Sequence, residues 1–320
     1  MRIPPATVYR EGGPAPAQLC LGEYTAPAPA EYLLASGYVF RTVVMDRERR
    51  FLAMPSEKNH FSSDIYRANK NIRALRPISI TEDAVALNTS YTDNFYHWFV
   101  DLVGRMLLLP DWDDKVICAD TRYPYQKETL ALLGVAPERI FSLDDYTLYR
   151  FKTLSVVSYP RSCPDPHSYA ALKEMARRVK PDARERSLPK RVYISRGDVS
   201  GRRSIVNEQE LLPIFKKYGF RRMIFSNLSL EDQIRAARNA DHLIFPHGAA
   251  GVNLVFSPPG IRFMEIMSPR ALDASSVCVC QSLGVPYHLL LGEMPAGDSM
   301  QAPFSVEPQA LLRALERLVA

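Results

Sequence analysis

The sequence predicts an α/β protein whose second half forms a parallel, doubly wound sheet. From Lys190 onward, short apolar runs alternate with stretches of helical length, which is the pattern of βαβ units. The 320 residues are enough for two domains of ordinary size. With 47% hydrophobic and 23% charged residues, the composition is that of a folded globular protein and excludes a disordered or collagen-like chain.

The two halves of the chain differ in composition and in the regularity of their hydrophobic pattern. Residues 1 to about 165 are irregular and rich in proline and tyrosine, and residues 1–180 are predicted to form an N-terminal domain. The charged, proline-bounded stretch 180–189 predicts a linker. Residues 190–306 predict the regular α/β domain, and residues 307–320 predict a closing amphipathic helix.

A few elements stand out in the N-terminal half. The predicted strands are Tyr38–Met45, Ala84–Leu87, Lys115–Ala119 and Leu154–Ser158. Apolar residues recur at helical spacing over Asn94–Leu109, and Pro110 is a plausible stop. A second helix is predicted over Pro124–Leu133, with Gly134 as its C-cap.

The second half is predicted in more detail. Its strands are Arg191–Arg196, Arg221–Ser226, Asp241–Pro246, Arg262–Ser268 and Val285–Leu291. Its helices are one from Asn207 to Gly219 with Glu210 completing a capping box, one from Ser229 to about Ala240, one over Ala271–Leu283 and one over Pro308–Ala320. Ligands of parallel sheets bind at the carboxyl ends of the strands, so the segments that follow Arg196, Ser226 and Pro246 are candidate sites.

Basic residues concentrate between Lys190 and Arg222. This window holds nine Lys and Arg against three acidic residues, whereas the whole chain has a net charge of only +5. Arg196, Arg202 and Arg203 follow the first predicted strand, and guanidinium groups there suit phosphate oxygens. The alternative is a solvated basic face. Nucleic-acid binding is disfavoured, because the overall charge is small and aromatic and basic residues do not alternate.

The segment Pro246–Gly251 places small residues directly after a predicted strand. The backbone can approach a ligand closely there, and a helix starting in this loop would offer its free N–H groups to an anion. The alternative for His247 is a structural histidine bonded within its own loop. Glu265 lies in an apolar strand, where a carboxylate needs a partner such as a sugar diol or a nearby arginine.

His97 and Asp101 share one face of the predicted first helix, with Asn94 one turn earlier. An imidazole or a carboxylate in this position could take a proton from an incoming hydroxyl group. The alternative is a helix cap and a core histidine.

Other patterns bear on cofactors and compartment. Cys278 and Cys280 have no companion pair at zinc spacing and are predicted to lie in the core. The five cysteines are an odd number without paired spacing, which favours a reducing compartment. No leader-like segment is evident, and the longest uncharged run, Leu243–Ile261, is interrupted by prolines and glycines. We therefore expect a cytoplasmic protein, with contact to the inner face of the membrane as an additional expectation.

Five short motifs, in order along the chain, resemble glycosyltransferase family 61. They are Phe95–Asp101, Tyr193–Arg196 with Arg202, Arg203 and Asn207, Leu230–Ile234, Pro246–Asn253, and the strand that contains Glu265. The His-Gly-Ala-Ala-Gly loop departs slightly from the commoner Gly-Ala-Gly form. The family includes bacterial capsular-polysaccharide biosynthesis proteins and eukaryotic O-linked GlcNAc and xylosyl transferases.

The resemblance implies a GT-B fold, in which two Rossmann-like domains face each other across a cleft. It also implies inverting transfer of a hexose or pentose from a nucleotide sugar to a hydroxyl of a glycan acceptor, in capsular or extracellular polysaccharide biosynthesis. The second domain would bind the donor and the first the acceptor. A non-catalytic protein that binds a nucleotide or phosphosugar is the alternative.

Specific roles follow from this resemblance as hypotheses. The departing diphosphate would be stabilised by the side chains and amides of Arg196, Arg202, Arg203, His247, Gly248, Ala249, Ala250 and Gly251. Because fixed positive charge then replaces a metal ion, neither a metal nor another cofactor is expected. Glu265 would hold the ribose, and Asn253 would hold the loop or the donor. Asp101 or His97 would be the general base.

Overall fold

The computed structural model describes residues 1–26, 30–41, 43–50, 52, 72, 75–87, 92–144, 146–158, 165–198, 202–294 and 299–320. The chain divides into two compact units. The parallel-sheet unit comprises Met1–Ala26, Ser162–Pro166 and Val179–Ala320, and the mixed-sheet unit comprises Pro27–Arg161 and His167–Arg178. The predicted α/β class is confirmed in both units, and each is described separately.

The strands and helices have the following bounds. In chain order the strands are β1 (Arg2–Ile3), β2 (Val8–Arg10), β3 (Tyr24–Thr25), β4 (Ala30–Ala35), β5 (Tyr38–Phe40), β6 (Val43–Met45), β7 (Ile78–Leu87), β8 (Val116–Ala119), β9 (Ile140–Ser142), β10 (Tyr149–Ser158), β11 (Arg191–Ile194), β12 (Arg221–Met223), β13 (His242–Pro246), β14 (Arg262–Met267) and β15 (Tyr287–Leu291). The longer helices are α1 (α-helical over Phe95–His97, π-helical over Trp98–Val103, α-helical over Gly104–Met106), α2 (Pro124–Leu132), α3 (Pro166–Ala176), α4 (Glu208–Lys217), α5 (Leu230–Asn239), α6 (Ser275–Leu283) and α7 (Pro308–Val319). Short 3₁₀ helices cover Ala17–Leu19, Trp112–Asp114, Pro137–Arg139, Ala183–Ser187, Phe225–Asn227 and Ala249–Phe256.

The parallel-sheet unit is built on six parallel strands in the order β12-β11-β13-β14-β15-β2. Strand β13 is buried along its whole length, as expected for a central strand covered on both faces. Helices α4 and α7 pack together over the sheet, and the Tyr193 and Phe215 rings stack at 4.0 Å in this core. The predicted parallel sheet of the second half is therefore confirmed.

In the described part of the mixed-sheet unit, seven strands form one sheet, with β6-β5-β10-β7-β8-β9 in order and β4 paired to β10. Strands β7, β8, β9 and β10 are parallel to one another through their pairings, whereas β4, β5 and β6 join by antiparallel pairing. The predicted strands Ala84–Leu87 and Leu154–Ser158 lie within the longer β7 and β10, and the strand predicted over Lys115–Ala119 is β8, which starts at Val116. The strand predicted over Tyr38–Met45 is wrong as a single strand, because the chain turns at Arg41 (φ 53°) and forms the antiparallel pair β5 and β6.

The N-terminal residues belong with the second half of the chain. Strand β2 extends the parallel sheet through its pairing with β15, in the register Val8 opposite Tyr287. The prediction had placed residues 1–180 in one domain, because a pairing between segments this far apart leaves no local signal. Helix α7 likewise packs on β14 and β15 of the same unit, and the segment predicted as a linker contains a 3₁₀ helix whose Glu185 pairs with Arg238.

Several local predictions in the second half are corrected. The helix predicted over Ala271–Leu283 starts at Ser275, and the strand predicted over Val285–Leu291 starts at Tyr287. The predicted strand Arg221–Ser226 ends at Met223, because Phe225 turns into the core and starts a 3₁₀ helix. The predicted capping box is wrong, since the Asn207 side chain makes no capping bond. Instead its Nδ2 donates to the Val306 carbonyl at 2.9 Å and its Oδ1 accepts from the Val306 N–H at 3.0 Å.

Cys278 and Cys280 are buried in α6, which confirms the prediction that they are core residues. Their thiols are free, as are those of Cys20 and Cys118. Within the described ranges, no helix combines the length and the apolar character that a bilayer span requires.

The Asn207–Val306 pair gives a stability prediction. Replacing Asn207 by Ala leaves the buried Val306 peptide groups without two partners and should lower the free energy of unfolding by about 1–3 kcal/mol. Glu210→Ala, the matched control, should change it by less than about 0.5 kcal/mol, because Glu210 is exposed and 3.5 Å from the amide. Urea denaturation measures both, and equal losses in the two variants would support the capping box instead.

Candidate functional site

The parallel sheet has its topological switch point between β11 and β13. The first five strands of its order, β12-β11-β13-β14-β15, follow the 2-1-3-4-5 pattern of doubly wound sheets. In that pattern the ligand crevice lies outside the carboxyl ends of the two strands at which the order reverses. Arg196 follows β11 and His247 follows β13, so the two motifs flank this crevice.

Arg196 connects the two loops at the crevice. Its Nη1 donates to the His247 carbonyl at 3.3 Å, and its Nη2 donates to the Arg202 carbonyl at 3.4 Å. Its Nε is buried and has no hydrogen-bond partner among the described residues. Burial, followed by the charge of Arg203, lowers the pKa of Arg196. The guanidinium is therefore a partly desolvated cation beside a second cation, which is a favourable place for an anion.

Arg202 and Arg203 differ in their placement. Arg202 is exposed and contributes its carbonyl to Arg196. Arg203 is half-buried in a left-handed conformation (φ 51°), and its backbone N–H is fixed to the Gln301 carbonyl at 2.9 Å. The Arg203 Nε is also buried without a partner in the described part of the chain. The structure thus brings Arg203, rather than the Arg202 side chain, into the electrostatic environment of Arg196.

Glycine at position 248 makes room for Arg196. A Cβ atom at Gly248 would collide with the Arg196 guanidinium, approaching its Cζ to 3.0 Å and Nη1 more closely still. A Cβ atom at Gly251 would meet the Phe245 ring at 3.1 Å. Ala249 and Ala250 begin the 3₁₀ helix and are half-buried. The small residues of this loop therefore allow close packing of the backbone against Arg196 and β13.

His247 is oriented by a buried carboxylate. The Glu265 side chain is fully buried, and its Oε1 lies 2.8 Å from His247 Nδ1. Ser276 donates to the same oxygen at 2.9 Å, and the Tyr287 hydroxyl donates to Oε2 at 2.6 Å. Burial, and then the charge of Glu265, raise the pKa of Tyr287, so its hydroxyl remains a donor. This network leaves Nε2 as the His247 ring nitrogen that can serve a ligand.

These contacts differ from the partners expected for Glu265 and agree with one of the two roles considered for Asn253. Glu265 has neither a sugar nor an arginine as its partner, because three side chains of the same unit occupy its oxygens and no part of it reaches the surface. Asn253 is also fully buried, and its Nδ2 donates to the Ala250 carbonyl at 3.1 Å and to Gln233 at 3.3 Å. Of the two roles considered for Asn253, the contacts are those of a residue that holds the loop.

Asp273 lies in the same electrostatic environment. Burial tends to raise the pKa of this carboxyl, but a side-chain hydrogen bond from Ser275 and the charges of His247 and Arg203 outweigh that effect and lower it. The backbone N–H of Ser275 also donates to Asp273 at 2.8 Å. Asp273 was not singled out by sequence reasoning, and neither were Ser276 and Tyr287. Their relation to His247 depends on β15 and α6 packing beside β14, which no local pattern reveals.

In the mixed-sheet unit, His97 and Asp101 form a hydrogen-bonded pair. His97 Nδ1 lies 2.7 Å from Asp101 Oδ2, and Arg105 Nη2 donates to Asp101 Oδ1 at 3.0 Å. Asp101 is 8% exposed, whereas the His97 side chain is 23% exposed. The carboxylate therefore lies inside, between an imidazole and a guanidinium, and the imidazole is the more accessible group.

The helix that carries this pair has an unusual geometry. Asn94 caps it by accepting from the N–H groups of Tyr96 and His97, which confirms the predicted start. The turn over Trp98–Val103 is π-helical, with the Gly104 N–H bonded to the Phe99 carbonyl. Gly104 is needed here, since a Cβ atom would come within 2.9 Å of Ser168 and 3.0 Å of the Phe99 carbonyl oxygen. Wide turns of this kind occur frequently at functional sites.

The structure therefore places the predicted residues in two groups. Arg196, Arg203, His247 and Gly248 lie together at the switch point of the parallel-sheet unit, and His97 and Asp101 lie together on α1 of the mixed-sheet unit. No group of three or more His, Cys, Asp or Glu residues suited to a metal ion occurs among the described residues.

Comparison with known proteins gives one finding. A family model described as Glycosyltransferase 61 matches residues 95–264, slightly more than half of the chain. The matched region begins at the helix that carries His97 and Asp101 and ends at the residue before Glu265. No curated protein matches the chain significantly.

The contact between Gly248 and Arg196 gives a binding prediction. Gly248→Ala should displace the guanidinium and weaken the binding of pyrophosphate, measured by calorimetry, by about tenfold or more, since hydrogen bonds to charged groups contribute about 1.5–3 kcal/mol. Gly22→Ala is the matched control, because a Cβ atom at Gly22 meets nothing within 4 Å. Equal pyrophosphate affinity in both variants would show that Arg196 is not held by this loop for anion binding.

Proposed function

The chain belongs to glycosyltransferase family 61, and we propose that it transfers a sugar with inversion from a nucleotide sugar to a hydroxyl group of a glycan acceptor. Family membership makes the protein a glycosyltransferase. The hexose or pentose donor, the glycan acceptor, the inverting course and a role in capsular or extracellular polysaccharide synthesis are parts of the proposal.

The observation that carries the proposal is the placement of Arg196. A partly buried guanidinium at the switch point of a parallel sheet, beside a second arginine and with an Nε that no described residue pairs, fits a group with several charged oxygens. The diphosphate of a nucleotide sugar is such a group. Arg203 and His247 Nε2 would complete the positive environment, and the loop backbone at Gly248–Gly251 would approach the phosphates closely.

The proposed reaction is a single displacement at the anomeric carbon. The acceptor oxygen forms the new bond to that carbon while the bond to the β-phosphate oxygen breaks, and the nucleoside diphosphate leaves with an additional negative charge. Because nucleophile and leaving group are on opposite faces of the carbon, the configuration inverts. Donors that are already in place where this charge develops are each worth about 3–4 kcal/mol of the barrier.

The proton of the acceptor hydroxyl needs a base, and the contacts favour His97 over Asp101. Both Asp101 oxygens already take hydrogen bonds, from His97 and from Arg105, and the carboxylate is buried. When Nδ1 of His97 donates to Asp101, Nε2 is the basic nitrogen of the ring. We therefore propose that His97 Nε2 takes the proton and that Asp101 fixes the tautomer and stabilises the resulting imidazolium.

Three further parts of the proposal rest on the family. The two units would be the donor and acceptor lobes of a GT-B enzyme, with the parallel-sheet unit on the donor side. The fixed positive charge of Arg196 and Arg203 would replace a metal ion. The reaction would take place in the cytoplasm, at or near the inner face of the membrane.

Replacement of Arg196 tests the donor side. With the nucleotide sugar selected by a thermal-shift panel of UDP-, GDP- and CMP-sugars, Arg196→Ala should lower turnover by about 10²–10³-fold, because a donor to the developing charge is lost. Arg221→Ala, which removes an exposed arginine of β12, should leave turnover nearly unchanged. Wild-type turnover in Arg196→Ala would refute the role of this residue.

Metal independence is tested by removing divalent ions. The same turnover assay after treatment with EDTA should give the untreated rate, and a requirement for added Mn²⁺ would contradict metal independence.

Replacement of His97 and Asp101 tests the base. His97→Ala and Asp101→Asn should each lower turnover by about 10²–10⁴-fold while leaving nucleotide-sugar binding intact, because one removes the base and the other removes the group that orients it. Added imidazole should partly restore turnover in His97→Ala only. Full activity in His97→Ala together with loss in Asp101→Asn would make Asp101 the base, and full activity in both would remove the pair from the mechanism.

A further inference from the structure

A cavity of about 300 Å³ lies in the mixed-sheet unit, among residues that follow the carboxyl ends of its strands. Asp120 and Arg122 follow β8, and Leu143 follows β9, while Thr92 comes after β7 along the chain. Strands β7, β8 and β9 are adjacent and parallel, so their carboxyl ends share one edge of the sheet. This is the edge at which parallel sheets bind ligands, and neither His97 nor Asp101 lines the cavity.

The floor of the cavity is a buried, ionised carboxylate. Asp120 is 3% exposed, and it accepts from the Thr92 hydroxyl at 3.2 Å and from the Arg122 Nε at 2.9 Å. Burial tends to raise the pKa of Asp120, but the hydrogen bonds and the charge of Arg122, with the Thr92 hydroxyl, outweigh it and lower the pKa. The arginine side chain itself is 65% exposed, so its outer face borders the solvent side of the cavity. The Arg122 guanidinium is therefore held in a defined orientation by the buried Asp120 carboxylate.

The rim adds balanced charge and an aromatic ring. Arg41 and Asp144 also line the cavity, which makes two arginines and two aspartates in its lining. Asp144 is held by the N–H groups of Tyr146 and Thr147 at 2.7 and 2.6 Å, so the loop that carries Tyr146 has a defined shape. Tyr146 also lines the cavity, and at 83% exposure its ring is accessible to a ligand there.

We propose that this cavity is a binding site for a neutral sugar unit, held by the polar side chains of Thr92 and Arg122, which the buried Asp120 fixes in place, and covered on one face by the Tyr146 ring. The two positive and two negative side chains cancel, so the site has no net attraction for a phosphate or another anion. Paired hydroxyl groups match neighbouring carboxylate and guanidinium groups, because each hydroxyl both donates and accepts. The volume is at the lower end for ligand pockets, about 300–1,000 Å³, and suits one small ring.

The position of the cavity suggests what the sugar is for. Thr92 comes two residues before Asn94, the cap of the helix that carries His97 and Asp101. A sugar bound against Thr92 is therefore close along the chain to the proposed base. We infer that the site binds a sugar unit of the acceptor, and this assignment rests on the proposed function, whereas the binding of a sugar does not.

Binding of methyl glycosides tests the proposal without any transfer reaction. Saturation-transfer NMR is recorded with the full chain and methyl glycosides of glucose, galactose, mannose, xylose and N-acetylglucosamine, in the presence and absence of UDP. At least one glycoside should bind, and Tyr146→Ala should weaken it by about three- to tenfold, whereas Tyr146→Phe should keep the affinity. The matched control is Tyr32→Ala, which removes an exposed tyrosine of the same unit outside the cavity and should bind like the wild type.

The outcomes separate this proposal from the proposed function. Absence of binding by every glycoside, equal loss in Tyr146→Ala and Tyr32→Ala, or competition of inorganic phosphate for the site would overturn the sugar site. Nucleotide-sugar affinity should be the same in Tyr146→Ala and in the wild type, because the donor residues lie in the other unit. If glycosides bind and Tyr146→Ala raises the acceptor KM at unchanged kcat, the site belongs to the acceptor. If they bind and KM does not change, the acceptor assignment is wrong.

Discussion

The proposed donor site depends on the partial desolvation of one cation, the Arg196 guanidinium. Arg196 lies at the switch point of the parallel sheet, tied to two loop carbonyls and close to Arg203, with its Nε buried and unpaired in the described part of the chain. Such a charge is costly to hold, because the nearby Asp198 carboxylate offsets burial and the charge of Arg203 only in part. The absence of a side chain at position 248 is what permits this placement, because any Cβ atom there would displace the guanidinium. In the proposed reaction, an arriving diphosphate would offset this charge, and the interaction would strengthen as the diphosphate departs.

Each unit contains a histidine whose ring is oriented by a buried carboxylate, and the two histidines have different proposed roles. His247 is oriented through Nδ1 by the fully buried Glu265, and His97 is oriented through Nδ1 by the nearly buried Asp101. In both pairs the carboxylate has at least one further donor of its own, so the imidazole orientation does not depend on a single bond. Both rings then offer Nε2. Beside Arg196 this nitrogen would assist the leaving group, whereas on α1 it would accept a proton.

Sequence reasoning was most accurate where the signal is periodic or local. The alternation of strands and helices after Lys190 predicted the parallel sheet, and the small residues after β13 marked the loop that packs against Arg196. Features that depend on distant segments were missed, such as the pairing of β2 with β15 and the binding of Asn207 to Val306.

Glu265 shows the limit of local sequence patterns. Its need for a partner was visible in the sequence, but the partners come from α6 and β15, and only the packing of those elements beside β14 identifies them. The π-helical turn of α1 is also invisible in the sequence, since His97 and Asp101 would share a face on an ordinary helix as well.

The most direct measurement is a crystal structure of the protein with a bound nucleoside diphosphate. The account predicts that oxygens of both phosphates lie within hydrogen-bond distance of the Arg196 guanidinium, with the β-phosphate next to His247 Nε2 and the backbone of Gly248–Gly251. A nucleotide bound elsewhere on the parallel-sheet unit, or bound at the switch point with Arg196 turned away from its phosphates, would contradict the central claim.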